Sequence, residues 1–165
     1  FVSFLSLGLK WTLTEAGLVY SISMIAGIIG RLFWGWIGTH YIRPLLLLAL
    51  LGIAMGIACM ALGLITEDWQ KSAVCLVAFI YGLTGIGYQG VLLAEIARVS
   101  PPGLAGVITG GAVCFAYAGM ILMPAAFGLI LEVFNSYRLG FVILGAIPIV
   151  VGAFFLRSVS QQKQG

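Results

Sequence analysis

Gly30-Arg31-Leu32-Phe33-Trp34-Gly35-Trp36-Ile37-Gly38-Thr39-His40-Tyr41-Ile42-Arg43-Pro44 is the stretch on which the fold turns. It opens as the end of one long apolar run and closes as the start of the next. It carries two of the eight basic residues and the only histidine. Arg43 falls in the short polar gap, and Arg31 falls inside the apolar run, where a charge is costly. Two long apolar runs joined by a few polar residues form a pair of membrane helices turned back on each other.

The rest of the chain has the same character. Of its 165 residues, 62% are hydrophobic and 8% are charged. A soluble domain carries about 25% charged residues, and a chain this short must still show water much of its surface. The composition therefore implies an all-α integral membrane protein. The runs are much longer than the roughly 10 residues of a barrel strand and do not alternate, which excludes a membrane β-barrel. The net charge of +3 arises from few charges rather than a basic patch, so no nucleic-acid partner is expected. Cys59, Cys75 and Cys114 each lie within an apolar run without paired spacing. They suit packing thiols better than a metal site or a disulfide frame.

In order, residues 1–9 are apolar but reach only about 14 Å as a helix, against a hydrocarbon core of roughly 30 Å. They are expected to be the tail of a sixth helix, the chain being part of a longer protein. Thr12 and Glu15 then have capping-box spacing, and Trp11 suits an interfacial depth. Complete spans are expected over 16–38, 45–65, 72–97, 104–131 and 139–156. Pro44 suits the first position of the second span, and Asp68 and Ser100 are placed to cap the third and fourth. Pro124 predicts a kink, and Pro148 lies in the fifth span. Gly52 with Gly56, and Gly106 with Gly110, have the small-xxx-small spacing that lets helices approach closely. The polar residues 158–165 form a frayed tail.

Loop charge sets the orientation. Arg43, Arg98, Arg157, Lys163 and His40 gather on one side. Lys10, Lys71 and Arg138 lie on the other, balanced by Glu15, Glu67, Asp68 and Glu132. The positive-inside rule puts the first set, with the C-terminus, in the cytoplasm.

Gly85-Ile86-Gly87-Tyr88-Gln89-Gly90 matches a dinucleotide fingerprint, but it lies in mid-span without the strand and acid that motif needs. Its glycines suit tight helix contact or local flexing. Arg31 and Glu95 are the two charges inside spans, about two turns and one turn from the cytoplasmic ends. Either they snorkel to the headgroups, or they join a polar network there, with a direct pair between them possible on depth. Ser23, Gly27, Arg31 and Gly35 share one narrow face. Tyr81, Thr84, Tyr88 and Glu95 form a stripe on the third span, with Gln89 about 100° round from Tyr88. Tyr117 is the main polar side chain of the fourth span, with Thr109 nearer the cytoplasm. Such residues either line a water-filled cavity or bond between helices. No nucleophile, metal-ligand cluster or cofactor motif stands out.

With these residues in view, Gly30-Arg31-x-x-x-Gly35-x-x-x-Thr39-His40-x-x-Arg43-Pro44 resembles the loop signature of the major facilitator superfamily, roughly G-x-x-x-D-R-x-G-R-R. Gly35 matches the signature glycine and Arg43 the first arginine of its end. Thr39 stands where the aspartate belongs, His40 where the arginine belongs, and Ile42 where the second glycine belongs. That degeneracy resembles the second copy of the signature, between helices eight and nine of twelve, and it removes the aspartate from any gating network here. Ala94-Glu95, then Pro101-Pro102-Gly103, resembles the helix ten to eleven junction.

The resemblance implies residues 1–157 as a C-terminal six-helix bundle with a truncated first helix, followed by a cytoplasmic tail, in the inner cell membrane. It implies secondary transport of a small solute by alternating access about a midplane site, proton- or ion-coupled, with a preceding six-helix half as partner. Organic anions are among the candidate solutes. Ser23, Tyr81, Thr84, Tyr88, Gln89 and Tyr117 are the substrate-path candidates, and Arg31, Arg43 and Glu95 the cytoplasmic charge network. Two other readings remain: a non-transporting sensor or scaffold on the same fold, and a membrane enzyme whose chemistry lies outside this chain.

Overall fold

The computed structural model describes residues 2–66 and 68–161. Phe1, Glu67 and residues 162–165, including Lys163, lie outside the described residues. Six α-helices follow a short π-helical segment at Phe4–Gly8: α1 Leu13–His40, α2 Pro44–Gly63, α3 Lys71–Gly85, α4 Tyr88–Val99, α5 Ala105–Phe134 and α6 Tyr137–Gln161. No strand occurs among the described residues. Counting α3 and α4 together, five stretches among the described residues are long and apolar enough to cross a membrane.

The helix starts are partly as the sequence predicts. Thr12 and Glu15 form a full capping box at the head of α1, so two orphan amides are satisfied reciprocally. Pro44 takes the first position of α2. Two expected caps are not used. Gln70, not Asp68, precedes α3, and no side chain caps it. Ser100 donates to the Ile96 carbonyl at 2.6 Å instead, and α5 begins after Leu104. The helices α5 and α6 continue through Pro124 and Pro148. The polar end is helical to Gln161 rather than frayed from 158.

The third span is broken where one continuous helix is expected. The Gly87 N–H, which in a regular helix would reach the Leu83 carbonyl, bonds to Gly82 at 3.2 Å. The Leu83 carbonyl is met instead by the Trp34 indole N–H at 2.8 Å. A helix break inside a bilayer must find such a substitute partner, because no water replaces the lost bond.

Close backbone approach holds the bundle together. In lipid, apolar side chains gain little by choosing each other over acyl chains, so tight packing drives helix association. Where α1 crosses α3 and α4, a methyl at Gly82 would strike the Ser23 carbonyl, one at Gly30 the Leu83 carbonyl, and one at Gly90 would lie 2.8 Å from the Arg31 carbonyl. The α2–α6 contact is of the same kind: Gly56 faces the Gly145 carbonyl and Gly52 the Pro148 carbonyl. Two apolar clusters fill in around these crossings. One joins Phe4, Leu5, Val19, Leu62, Val74 and Phe141; the other joins Leu47, Leu48, Leu51 and Val91. Cys59 is buried and donates weakly to the Phe141 carbonyl, whereas Cys114 is exposed.

The helix α5 stands apart. It has no buried residue. It is tied near its end by Phe127, whose ring lies 5.4 Å from that of Phe141.

Candidate functional site

Two polar constellations lie along α1. The first is in mid-span. Arg31 is nine positions before the end of α1, roughly 14 Å along the helix axis. Its side chain is exposed, and its Nη2 donates to Gln89 Oε1 at 2.8 Å. Among the described residues no carboxylate pairs with it. Beside this pair Gly90 brings the two backbones together, and the break between α3 and α4 lies just before Tyr88.

The expected face of Ser23, Gly27 and Arg31 is thus a contact face, while Gly35 meets nothing within 4 Å. The stripe on the third span is not continuous, because the break interrupts its period. Ser23 (3% exposed) and Thr84 (5%) are buried. Their hydroxyls donate to Val19 and Ile80 of their own helices. Tyr81 packs on the first apolar cluster and Tyr88 on the second. Tyr117 is 60% exposed on α5, and Gln89, like Tyr81 and Tyr88, is half-buried.

The second constellation is a cleft of about 840 Å³ at the α1–α2 loop end. The end of α1, the start of α2, the second half of α4 and Val159 of α6 enclose it. Arg43, Glu95 and Arg98 all line it. Glu95 does not pair with Arg31. Arg98, one turn on, takes both its oxygens, Nε at 2.7 Å and Nη2 at 2.6 Å. Similar depth along two helices says nothing of the direction around each axis, and a partner at i+3 on the same helix is always within reach. Thr39 and His40 bond back to the Trp36 carbonyl of their own turn, at 2.9 and 3.0 Å.

At the opposite end Lys71 pairs with Glu15 and lies 5.6 Å from the Trp11 ring, joining the heads of α3 and α1. Arg98, Trp34 and this cluster were not singled out from sequence. The i,i+3 spacing of Glu95 and Arg98 was the one legible signal among them.

A family model described as Major Facilitator Superfamily matches residues 1–164. The chain belongs to the Major Facilitator Superfamily. The resemblance carried by residues 30–44 is therefore correct, and with it the all-α membrane fold and a role in membrane transport in general. Proteins of this superfamily are typically transporters rather than enzymes. They bind small solutes and sit in the lipid bilayer. No curated protein matches the chain. The Arg31–Gln89 pair joins two of the stretches long and apolar enough to cross a membrane, and the 840 Å³ cleft lies at their loop ends.

Proposed function

We propose that the chain is the C-terminal half of a permease that carries a small organic anion by alternating access, with the α1–α2 loop and the C-terminus in the cytoplasm of a cell-membrane protein. One observation carries the substrate class. Arg31 is a cation at membrane depth, exposed, and bonded only to a neutral amide among the described residues. An arginine so placed needs water, a partner or a substrate charge to offset its desolvation. A solute carboxylate meeting the guanidinium fork supplies that charge. Gln89 holds the guanidinium in place, and Tyr117 is available from α5. Arg43 and Glu95 belong to the gate at the cytoplasmic end, with a proton or ion as the coupling species. The other half of the site comes from a preceding six-helix bundle.

The test is uptake by the full-length protein in proteoliposomes over a panel of labelled mono- and dicarboxylates, with proton flux followed in parallel. Uptake that Arg31→Gln abolishes supports the reading. Absence of any solute or proton flux across the panel overturns it. The burial of Ser23 and Thr84, with Tyr81 and Tyr88 packed half-buried against apolar clusters, favours a second reading, a sensor on the same fold. Saturable ligand binding without flux would select it.

A further inference from the structure

The cleft at the α1–α2 loop end is electrostatically unbalanced. Its lining holds two cations, Arg43 and Arg98, and one anion, Glu95. Arg98 occupies both carboxylate oxygens of Glu95. The Arg43 side chain has no hydrogen bond or ion pair among the described residues. Thr39 brings no charge, and its hydroxyl already donates to the Gly35 and Trp36 carbonyls. His40 is turned to its own helix as well. The first turn of α2, which has no side-chain cap, forms part of the wall, and its free amides add positive potential. The remaining wall is apolar and includes Leu45, Val91, Val99 and Val159.

An unmatched guanidinium above an apolar wall, at the end of membrane helices, fits an amphiphilic anion. We propose that this cleft binds the phosphate of an anionic phospholipid headgroup, with Arg43 as its principal contact and the acyl chains along the apolar wall. An arginine fork complements phosphate oxygens geometrically. Basic pockets between membrane helices are a recurrent headgroup site. The volume falls within the roughly 300–1,000 Å³ usual for ligand cavities. The ligand supplies the negative charge that Thr39 does not.

The experiment is native mass spectrometry of the detergent-purified, delipidated full-length protein. It is titrated with palmitoyl-oleoyl phosphatidylglycerol, with the phosphatidylcholine of the same chains, and with sn-glycerol 3-phosphate. The wild type should retain phosphatidylglycerol about tenfold more tightly than phosphatidylcholine, whose choline cation cancels the phosphate charge that the unbalanced cleft attracts. Arg43→Gln should abolish that preference with an unchanged thermal profile. Glu95→Gln, which releases Arg98, should strengthen phosphatidylglycerol binding several-fold. This opposite sign keeps the test decisive if Arg43→Gln folds poorly. Equal retention of the two lipids by the wild type overturns the proposal. So does an undiminished preference in Arg43→Gln, or no gain in Glu95→Gln. Displacement of the lipid by an equal concentration of glycerol phosphate also overturns it, assigning the cleft to a soluble phosphate.

Discussion

The α1–α3/α4 crossing and the helix α5 carry the same residue type at similar spacing and do opposite things with it. At the crossing, Gly30, Gly82, Gly87 and Gly90 bring two backbones so near that an added methyl group would collide, and one at Gly27 would strike the Ile86 side chain. Along α5, Gly106, Gly110, Gly111, Gly119 and Gly128 meet nothing within 4 Å. Small residues at helical spacing permit a close approach; they do not supply the helix that approaches. In a bilayer that difference is energetic, because a glycine stripe against lipid gains none of the van der Waals contact that makes helix packing favourable.

The largest expected effect is at Gly82. Gly82→Ala must separate α1 from α3 at the Ser23 carbonyl, and backbone cannot move aside as a flexible side chain can. Overpacking of this kind costs about 1–3 kcal/mol and sometimes more. Size-exclusion profiles and thermal stability in detergent should show a sharply destabilised or misassembled protein. Wild-type stability would dissolve the contrast between crossing and α5. Next comes Gly56→Ala at the α2–α6 contact, where the added carbon meets the Gly145 carbonyl at 2.5 Å and the Ile149 side chain. Ile149 can shift in part, so a smaller loss is expected from the same measurement.

Trp34→Phe tests what holds the break between α3 and α4. It keeps an aromatic ring but removes the donor that satisfies the Leu83 carbonyl. A carbonyl left without its partner costs about 1–3 kcal/mol when fully buried, and less at this part-buried site. The expected outcome is a modest fall in melting temperature with faster amide exchange around residues 83–90. Unchanged exchange there would mean that the glycine contacts alone hold the break.

What could be read from sequence was local or periodic. The Thr12–Glu15 capping box, Pro44 at a helix start and the apolar spans each follow from residues within one or two turns of each other. The glycines at 85, 87 and 90 were legible as a site of tight contact or flexing. Their effect on helix continuity was not, because the break is completed by the Trp34 indole, which approaches from another helix. The charge pairing failed for a related reason. Arg31 and Glu95 have similar depths, but hydrogen bonding also depends on the azimuth of each side chain. Arg98 and Gln89 had the nearer claims. Among the path candidates, Ser23 and Thr84 illustrate a further ambiguity. A hydroxyl in a membrane helix can satisfy itself on the i−4 carbonyl, and then the polarity visible in sequence implies no cavity.

The smallest effect on stability is expected at Gly110, and it sharpens the contrast most. Nothing stands within 4 Å of a Cβ there, and replacing glycine by alanine inside a helix gains about 0.5–1 kcal/mol of backbone stability. Gly110→Ala should therefore leave the melting temperature of the protein unchanged or slightly raised. Transport by the same variant decides what the glycine face of α5 is for. If uptake in proteoliposomes is also unchanged, the face lies against lipid or water and its small residues are idle. If uptake falls while the fold is kept, a second helix meets that face at some point in the transport cycle, as the crossing of α1 does permanently with α3 and α4. A loss of stability instead would show that α5 is packed as tightly as the crossing, and the distinction between the two regions would fall.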